Sequence, residues 1–253
     1  MYGRSGESPV AVIAATSPSD CFYMAIEACR LALKYMVPVI LLTDGYIANG
    51  AEPWRIPHVN ELEEIEVTQR TDPEGYHPYD RDENLARPWA VPGTPGLEHR
   101  LGGLEKANIT GEVSHDPENH HLMTEIRAKK IENMQNSIPD IEVDGDTEGE
   151  LLVIGWGGTK GSITEAVIDA RKKGMKVSRA QLQYINPFPK NLGKVLSKFD
   201  KVIVPENNMG QLAKILRDKF LVPVIQFNKM RGLPLKTFEI TEKIAEVLGG
   251  KND

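Results

Sequence analysis

Asp44, Gly45, Tyr46 and Asn49 follow directly on the apolar run Val39-Ile40-Leu41-Leu42, within the stretch PVILLTDGYIANGAEPW. An unbroken apolar run of that length is expected of a strand inside a parallel sheet covered on both faces. Ligands and partner surfaces gather beyond the carboxyl ends of such strands. A carboxylate, a phenol and an amide placed there could orient a ligand or seal a site against water. The plainer reading makes Asp-Gly a turn and Tyr46 a half-buried ring. A second polar knot is Gly3-Arg4-Ser5-Gly6-Glu7-Ser8-Pro9. Arg4 supplies a fixed cation whose planar fork suits a carboxylate or phosphate, with Ser5 and Glu7 beside it. This knot precedes a strand, so it belongs at the opposite end, and a solvated terminus competes with the binding reading.

Three other groupings invite chemistry and carry less. Gly155-Trp156-Gly157-Gly158-Thr159-Lys160-Gly161 follows a strand and opens a helix, so its amides could cradle an anion. Its spacing matches neither G-x-x-x-x-G-K-[ST] nor G-x-G-x-x-G. The next strand, VSRAQLQY, also ends without the acidic residue a dinucleotide ribose needs, and a tight structural turn is the better reading. His115, His120 and His121 with Glu125 lack an HExxH or cysteine pair and read as surface histidines. No Ser stands in a G-x-S-x-G elbow. Cys21 and Cys29 fall in one predicted helix, roughly 12 Å apart along its axis. That is too far for a disulfide, and without a C-x-x-C pair the chain binds no iron–sulfur cluster of its own.

The elements that must position these groups are regular at both ends of the chain. A strand over residues 10–15 leads into a helix with Ser17 as N-cap, Pro18 at N1 and Asp20 at N3. Phe22, Ala25, Ile26, Cys29, Leu33 and Met36 are expected on its buried face. With the strand over 39–42 this makes a β-α-β unit whose sheet is too small to stand alone, so further chain or a partner should complete it. From about 53 to 111 periodicity gives way to Pro and Gly, yet the aromatic load argues for a packed loop rather than a tether. A helix follows over 118–136, then an acidic connector. Strands at 151–156, 177–182, 201–205 and 222–227 alternate with helices at 162–173, 189–199, 210–220 and 235–248, a doubly wound α/β pattern.

Bulk properties bound the function. The chain has 253 residues, 40% hydrophobic and 26% charged, with a net charge of −6. That balance disfavours a general nucleic-acid binder. No apolar run approaches a membrane span, and MYGRSGESP has no signal core, so a cytoplasmic location is the expectation.

The runs GRSGESPVAVIAATSPSDCF, PVILLTDGYIANGAEPW and RDENLARPWAVPGTPGLEHRLGGLEK resemble the α subunit of 2-oxoacid:ferredoxin oxidoreductases, the 2-oxoglutarate type above all. LLVIGWGGTKGSITEAV, QLQYINPFP and VIVPENNMGQLAKILR are similar to that subunit's transketolase-C-like domain. The resemblance covers essentially the whole chain. It implies an α/β architecture in three parts: residues 1–56 as the end of a thiamine-diphosphate-binding, pyrimidine-type domain, 57–149 as a wrapping loop and connecting helix, and 150–253 as the transketolase-C-like domain. It implies oxidative decarboxylation of 2-oxoglutarate to succinyl-CoA, with coenzyme A as acceptor and ferredoxin taking the electrons. Thiamine diphosphate would be shared with a β subunit that itself holds the magnesium and the iron–sulfur cluster, in a hetero-oligomer.

The family's upstream Y-P-I-T-P segment, its aminopyrimidine glutamate and its R-x-G-P-S-T-G-x-P-T segment are not in this sequence. The resemblance is therefore to a C-terminal portion, expected to be inactive alone. Arg4, Ser5, Glu7, Asp44, Tyr46 and Asn49 are the residues expected to border the active site and the β-subunit face, orienting and sealing rather than breaking bonds. A non-catalytic assembly module is the alternative of a different class, and a nucleotide-binding Rossmann-type protein a third.

Overall fold

The computed structural model describes residue 4 and residues 6–249; Ser5 lies outside the described residues. In chain order, β1 (Ala11–Ala14) leads into α1 (Asp20–Tyr35), β2 (Val39–Leu42) and the single turn α2 (Gly45–Ala48). Two short strands, β3 (Gln69–Arg70) and β4 (Trp89–Ala90), interrupt the long irregular stretch before α3 (Pro117–Asn133). Then come β5 (Val143–Asp144), β6 (Gly149–Trp156), α4 (Lys160–Lys172), β7 (Ser178–Leu182) and β8 (Tyr184–Asn186). The last elements are α5 (Leu192–Leu196), β9 (Phe199–Glu206), α6 (Gln211–Phe220), β10 (Val224–Asn228) and α7 (Thr237–Val247). Among the described residues, those up to 13 with 24–41 and 54–138 form one compact unit; 14–23, 42–53 and 139–249 form the second.

In the first unit, β1 is buried along its length, as its unbroken apolar sequence requires. β2 is not. It is an edge strand of its sheet, and Ile40 remains 45% exposed, so the expectation of a strand covered on both faces is corrected. An apolar run shows that a strand avoids charge; it cannot show how many neighbours the strand has. The buried face of α1 also differs from the expected one. Met24, Leu31 and Tyr35 are buried, whereas Phe22, Ala25 and Cys29 are exposed. The helix is apolar on more than one side, and the contacts that choose between its faces lie over a hundred residues away. The Tyr35 hydroxyl meets Ser137 Oγ at 2.7 Å, and Arg30 Nη2 donates to the Ser137 carbonyl at 2.7 Å.

The irregular stretch packs only in part: Ile56 and Val59 remain 76% and 86% exposed, whereas Ala86 and Leu97 are buried. Trp89 Nε1 donates to the Leu33 carbonyl at 2.7 Å, and Tyr79 and Ile109 form an isolated antiparallel bridge. α3 starts on Asp116, whose carboxylate accepts from Glu118 N at 3.2 Å, with Pro117 in the first turn.

The second unit is built on a five-stranded sheet in the order β10-β9-β6-β7-β5, with β5 antiparallel and the other pairings parallel. Alternation along β6 sends Leu151 and Val153 to one face, where they pack with α4 (Ile163, Ala166) and α7 (Ile240, Ile244). Each of the four strands and four helices expected from the sequence is present, although α5 shrinks to five residues. The short edge strand β5 has no apolar run and was not foreseen. It is held by Asp144, whose carboxylate pairs with Arg171 at 2.9 Å and Arg179 at 2.6 Å.

Candidate functional site at the carboxyl ends of the strands

Strand order in the second unit reverses between β6 and β9, because β7 lies on one side of β6 and β9 with β10 on the other. Such a switch point opens a crevice beyond the strand ends. A cleft of about 630 Å3 lies there, lined by Tyr46, Trp156, Asn207, Asn208, Gln211 and Lys229 among others. Lys229 is ion-paired to Glu239.

Asp44 organises one wall. It is the N-cap of α2: Oδ1 accepts from Ile47 N at 2.9 Å, and Ile47 is buried beneath the turn. Oδ2 accepts from Gly158 N at 2.6 Å. A Cβ at Gly158 would stand 2.4 Å from that oxygen, so the approach requires glycine. Asn49 closes α2 by donating from Nδ2 to the Gly45 carbonyl at 2.8 Å. Tyr46, between them, is 63% exposed. The turn thus ties down its two polar residues and presents the phenol.

Glu206 organises the opposite wall. It is fully buried at the end of β9, and its carboxylate accepts from Trp156 Nε1 at 3.2 Å, Asn208 Nδ2 at 3.0 Å, Leu212 N at 2.9 Å and Ala213 N at 3.1 Å. The amides at the start of α6 are therefore taken by the chain's own carboxylate, as the glycine-turn amide is by Asp44. A ligand phosphate has neither position available, which weighs against a nucleotide-cradling turn at 155–161.

A third carboxylate, Glu52, binds Ser17 Oγ at 2.6 Å and Ser19 N at 2.5 Å, and these hydrogen bonds hold its pKa down to about 2. Close by, Asp20 accepts from Thr16 N at 2.8 Å and Gln183 Nε2 at 3.0 Å. Neither Glu52 nor Glu206 stood out in the sequence. Their partners are distant side chains and backbone amides, which no residue pattern marks.

Of the six nominated residues, the structure brings together Asp44, Tyr46 and Asn49 on one turn of the second unit. Arg4 and Glu7 belong to the first unit. The Arg4 guanidinium donates to Ser8 Oγ at 2.9 Å, and Glu7 is exposed with φ 54°. Ser5 is outside the described residues. His120 pairs with Glu105 at 2.7 Å and His121 with Glu125 at 3.5 Å; among the described residues no three His, Cys, Asp or Glu side chains cluster as metal ligands. Cys21 and Cys29 are both free.

Residues 1–116 match the family described as pyruvate flavodoxin/ferredoxin oxidoreductase, thiamine diP-binding, and residues 149–231 match pyruvate:ferredoxin oxidoreductase core domain II. Both matches are to parts of one kind of oxidoreductase, and together they take in most of the chain. It is 53% identical to the 2-oxoglutarate oxidoreductase subunit KorA of Mycobacterium tuberculosis over 99% of its own length and 38% of that protein. To subunit alpha of 2-oxoacid:ferredoxin oxidoreductase 2 of Aeropyrum pernix it is 30% identical, over 98% of this chain and 40% of the relative. A solved 2-oxoglutarate:ferredoxin oxidoreductase from Magnetococcus marinus, with 2-oxoglutarate, coenzyme A and succinyl-CoA bound, superposes with a TM-score of 0.91 at 30% identity. That match covers 96% of this chain and 43% of the solved one. The chain thus spans about two-fifths of the length of these relatives.

A diphosphate bound through a divalent metal needs carboxylates for the metal and free amides or cations for the phosphates. The cleft's amide positions are filled internally, and no metal-ligand cluster is present among the described residues. The described residues around this cleft therefore do not fit the diphosphate end of thiamine diphosphate.

Proposed function

We propose that this chain acts as part of the α subunit of a thiamine-diphosphate-dependent 2-oxoglutarate:ferredoxin oxidoreductase. The reaction converts 2-oxoglutarate, coenzyme A and oxidised ferredoxin to succinyl-CoA, carbon dioxide and reduced ferredoxin. The observation that carries this reading is 53% identity to a KorA subunit across 99% of the chain. In this account a β subunit holds the magnesium, the diphosphate and the iron–sulfur cluster. The poor fit of the cleft to a diphosphate supports that division, and so does the absence of a cysteine cluster from the sequence. The chain alone is then inactive. The proposed location is cytoplasmic; among the described residues no helix is long and apolar enough to cross a membrane.

Residues 1–56 are assigned to the pyrimidine-type domain, 57–149 to a wrapping loop and connecting helix, and 150–253 to a transketolase-C-like domain. Arg4, Ser5, Glu7, Asp44, Tyr46 and Asn49 are assigned to the border of the active site and of the β-subunit face. Asp44 and Asn49 fix the α2 turn, and Tyr46 is the ring that the turn presents. The exposed ring of Tyr46 supports a covered surface there in the assembled enzyme. Size-exclusion of the α subunit carrying this chain, with and without β, tests the assembly: a shared earlier-eluting peak is expected. Two independent peaks at micromolar concentration would overturn the reading.

A further inference from the structure

The first unit contains a small pocket of about 230 Å3 whose ionisable lining is almost wholly cationic. Arg81, Arg87, Arg127 and Lys130 line it, with Arg4 and Lys106 at its margin and Glu105 as the lone carboxylate. That carboxylate is already shared between His120 at 2.7 Å and Arg127 at 3.2 Å. The other cations turn to weak or neutral acceptors. Arg87 donates to the Pro78 carbonyl at 2.9 Å and to Met36 Sδ at 3.1 Å. Arg81 donates to the Tyr79 carbonyl at 2.9 Å, Asn108 Oδ1 at 2.7 Å and Met123 Sδ at 3.4 Å. Lys106 Nζ reaches only the carbonyls of Gly102 and Leu104. Arg127 Nε is buried without a partner. Tyr79 places its ring face 4.3 Å from the Arg87 guanidinium and 5.4 Å from that of Arg81, which softens the repulsion without neutralising it.

Gathering like charges where water only partly reaches them is unfavourable unless a counter-charge offsets it. A fold that concentrates them around a cavity stores that repulsion until an anion enters. We infer that the pocket framed by Arg81, Arg87, Arg127 and Lys130 binds a small multivalent oxyanion. Arginine forks and a lysine ammonium suit the oxygens of phosphate or of a short dicarboxylate. The volume falls below the roughly 300 Å3 at which pockets for larger organic ligands begin, so a nucleotide is too big. Burial and the neighbouring Arg87, Arg81 and Arg127 lower the Lys130 pKa to about 8, with Asp82 opposing them. The inference does not rest on the enzymatic reading above, because every residue in it lies in the first unit.

Titration calorimetry of the 253-residue chain at pH 7 and constant ionic strength tests it, with sodium phosphate and sodium succinate as separate arms and sodium chloride as control. Saturable one-site binding of phosphate, of succinate or of both is expected, and the arms tell phosphate from carboxylate. Arg87→Gln and Lys130→Met should each weaken binding at least tenfold while circular dichroism stays unchanged. If a variant misfolds, the titration of the Lys130 ammonium followed by NMR in the unmodified chain decides: its pKa should rise on adding the bound anion. Heats no larger than those of chloride, equal binding by folded variants, or a Lys130 titration indifferent to phosphate and succinate would each overturn the site.

Discussion

Asp44 spends both carboxylate oxygens on backbone amides, one inside its own turn and one at Gly158. Asp44→Ala leaves both amides without their acceptor and should cost ~1–3 kcal/mol in urea unfolding. In the assembled complex it should also lower turnover, since Tyr46 loses the turn that aims it; unchanged turnover and assembly would remove Asp44 from the site. Glu206 is the stricter case, because four N–H donors converge on it. Glu206→Gln sets an amide donor against at least one of them, with an expected loss of ~2–4 kcal/mol by the same measurement. Glu52 governs acid stability. Its pKa falls from an ordinary 4.5 to about 2, so its contribution is present above pH 4.5 and is lost as pH drops through 2. Glu52→Gln should flatten that part of the stability–pH curve. Lys130 shares that direction with pH, but its charge is destabilising at neutral pH. With its pKa lowered to about 8, the folded chain holds a costly proton at neutral pH, and stability should rise between pH 8 and 10.5. Lys130→Met in buffer free of phosphate and carboxylates should therefore stabilise the chain at pH 7 by at most ~3 kcal/mol and show no such rise.

At the scale of elements, most of the second unit was legible because its longer strands and helices each carry their own signal, whereas the short strands β5 and β8 do not. The continuous apolar run of β6, glycine at 157–158 and the apolar spacing of α4 and α6 are local properties of the sequence. The buried face of α1 was not legible, because Ser137 and Asn133 choose it from more than ninety residues away. Nor was the edge position of β2, since an apolar tetrapeptide carries no record of its neighbours. The candidate site divides in the same way. Asp44, Tyr46 and Asn49 sit beside a turn that the sequence announces, whereas Glu52 and Glu206 act through partners that it does not. One local feature runs against propensity: α6 ends on Leu221 in the left-handed region, φ 54° and ψ 33°, with the side chain 87% exposed. Leu221→Gly relieves that conformation without losing packing and should raise the unfolding free energy in urea by ~0.5–1 kcal/mol. A fall in stability would show that Leu221 is held by something more than its cap.

Across the molecule, net charge conceals the distribution that matters. A total of −6 argues against polyanion binding in general, yet six cations separated by as many as 126 positions meet at one pocket of the first unit. Folding, not composition, makes that local field. The second unit does the reverse. It directs its own carboxylates onto the amides of a glycine turn and a helix start, places where α/β proteins commonly seat phosphates, and so leaves a cleft walled by Trp156, Tyr46 and side-chain amides. On the proposed reading, an α subunit that borders a cofactor held mainly by its partner would have use for such a wall. The most direct measurement is succinyl-CoA formation by the complete α subunit containing this chain, reconstituted with β and ferredoxin. The account predicts product only when both chains, 2-oxoglutarate and coenzyme A are present. Product from this chain alone, or a competent complex that turns over pyruvate but not 2-oxoglutarate, would contradict it.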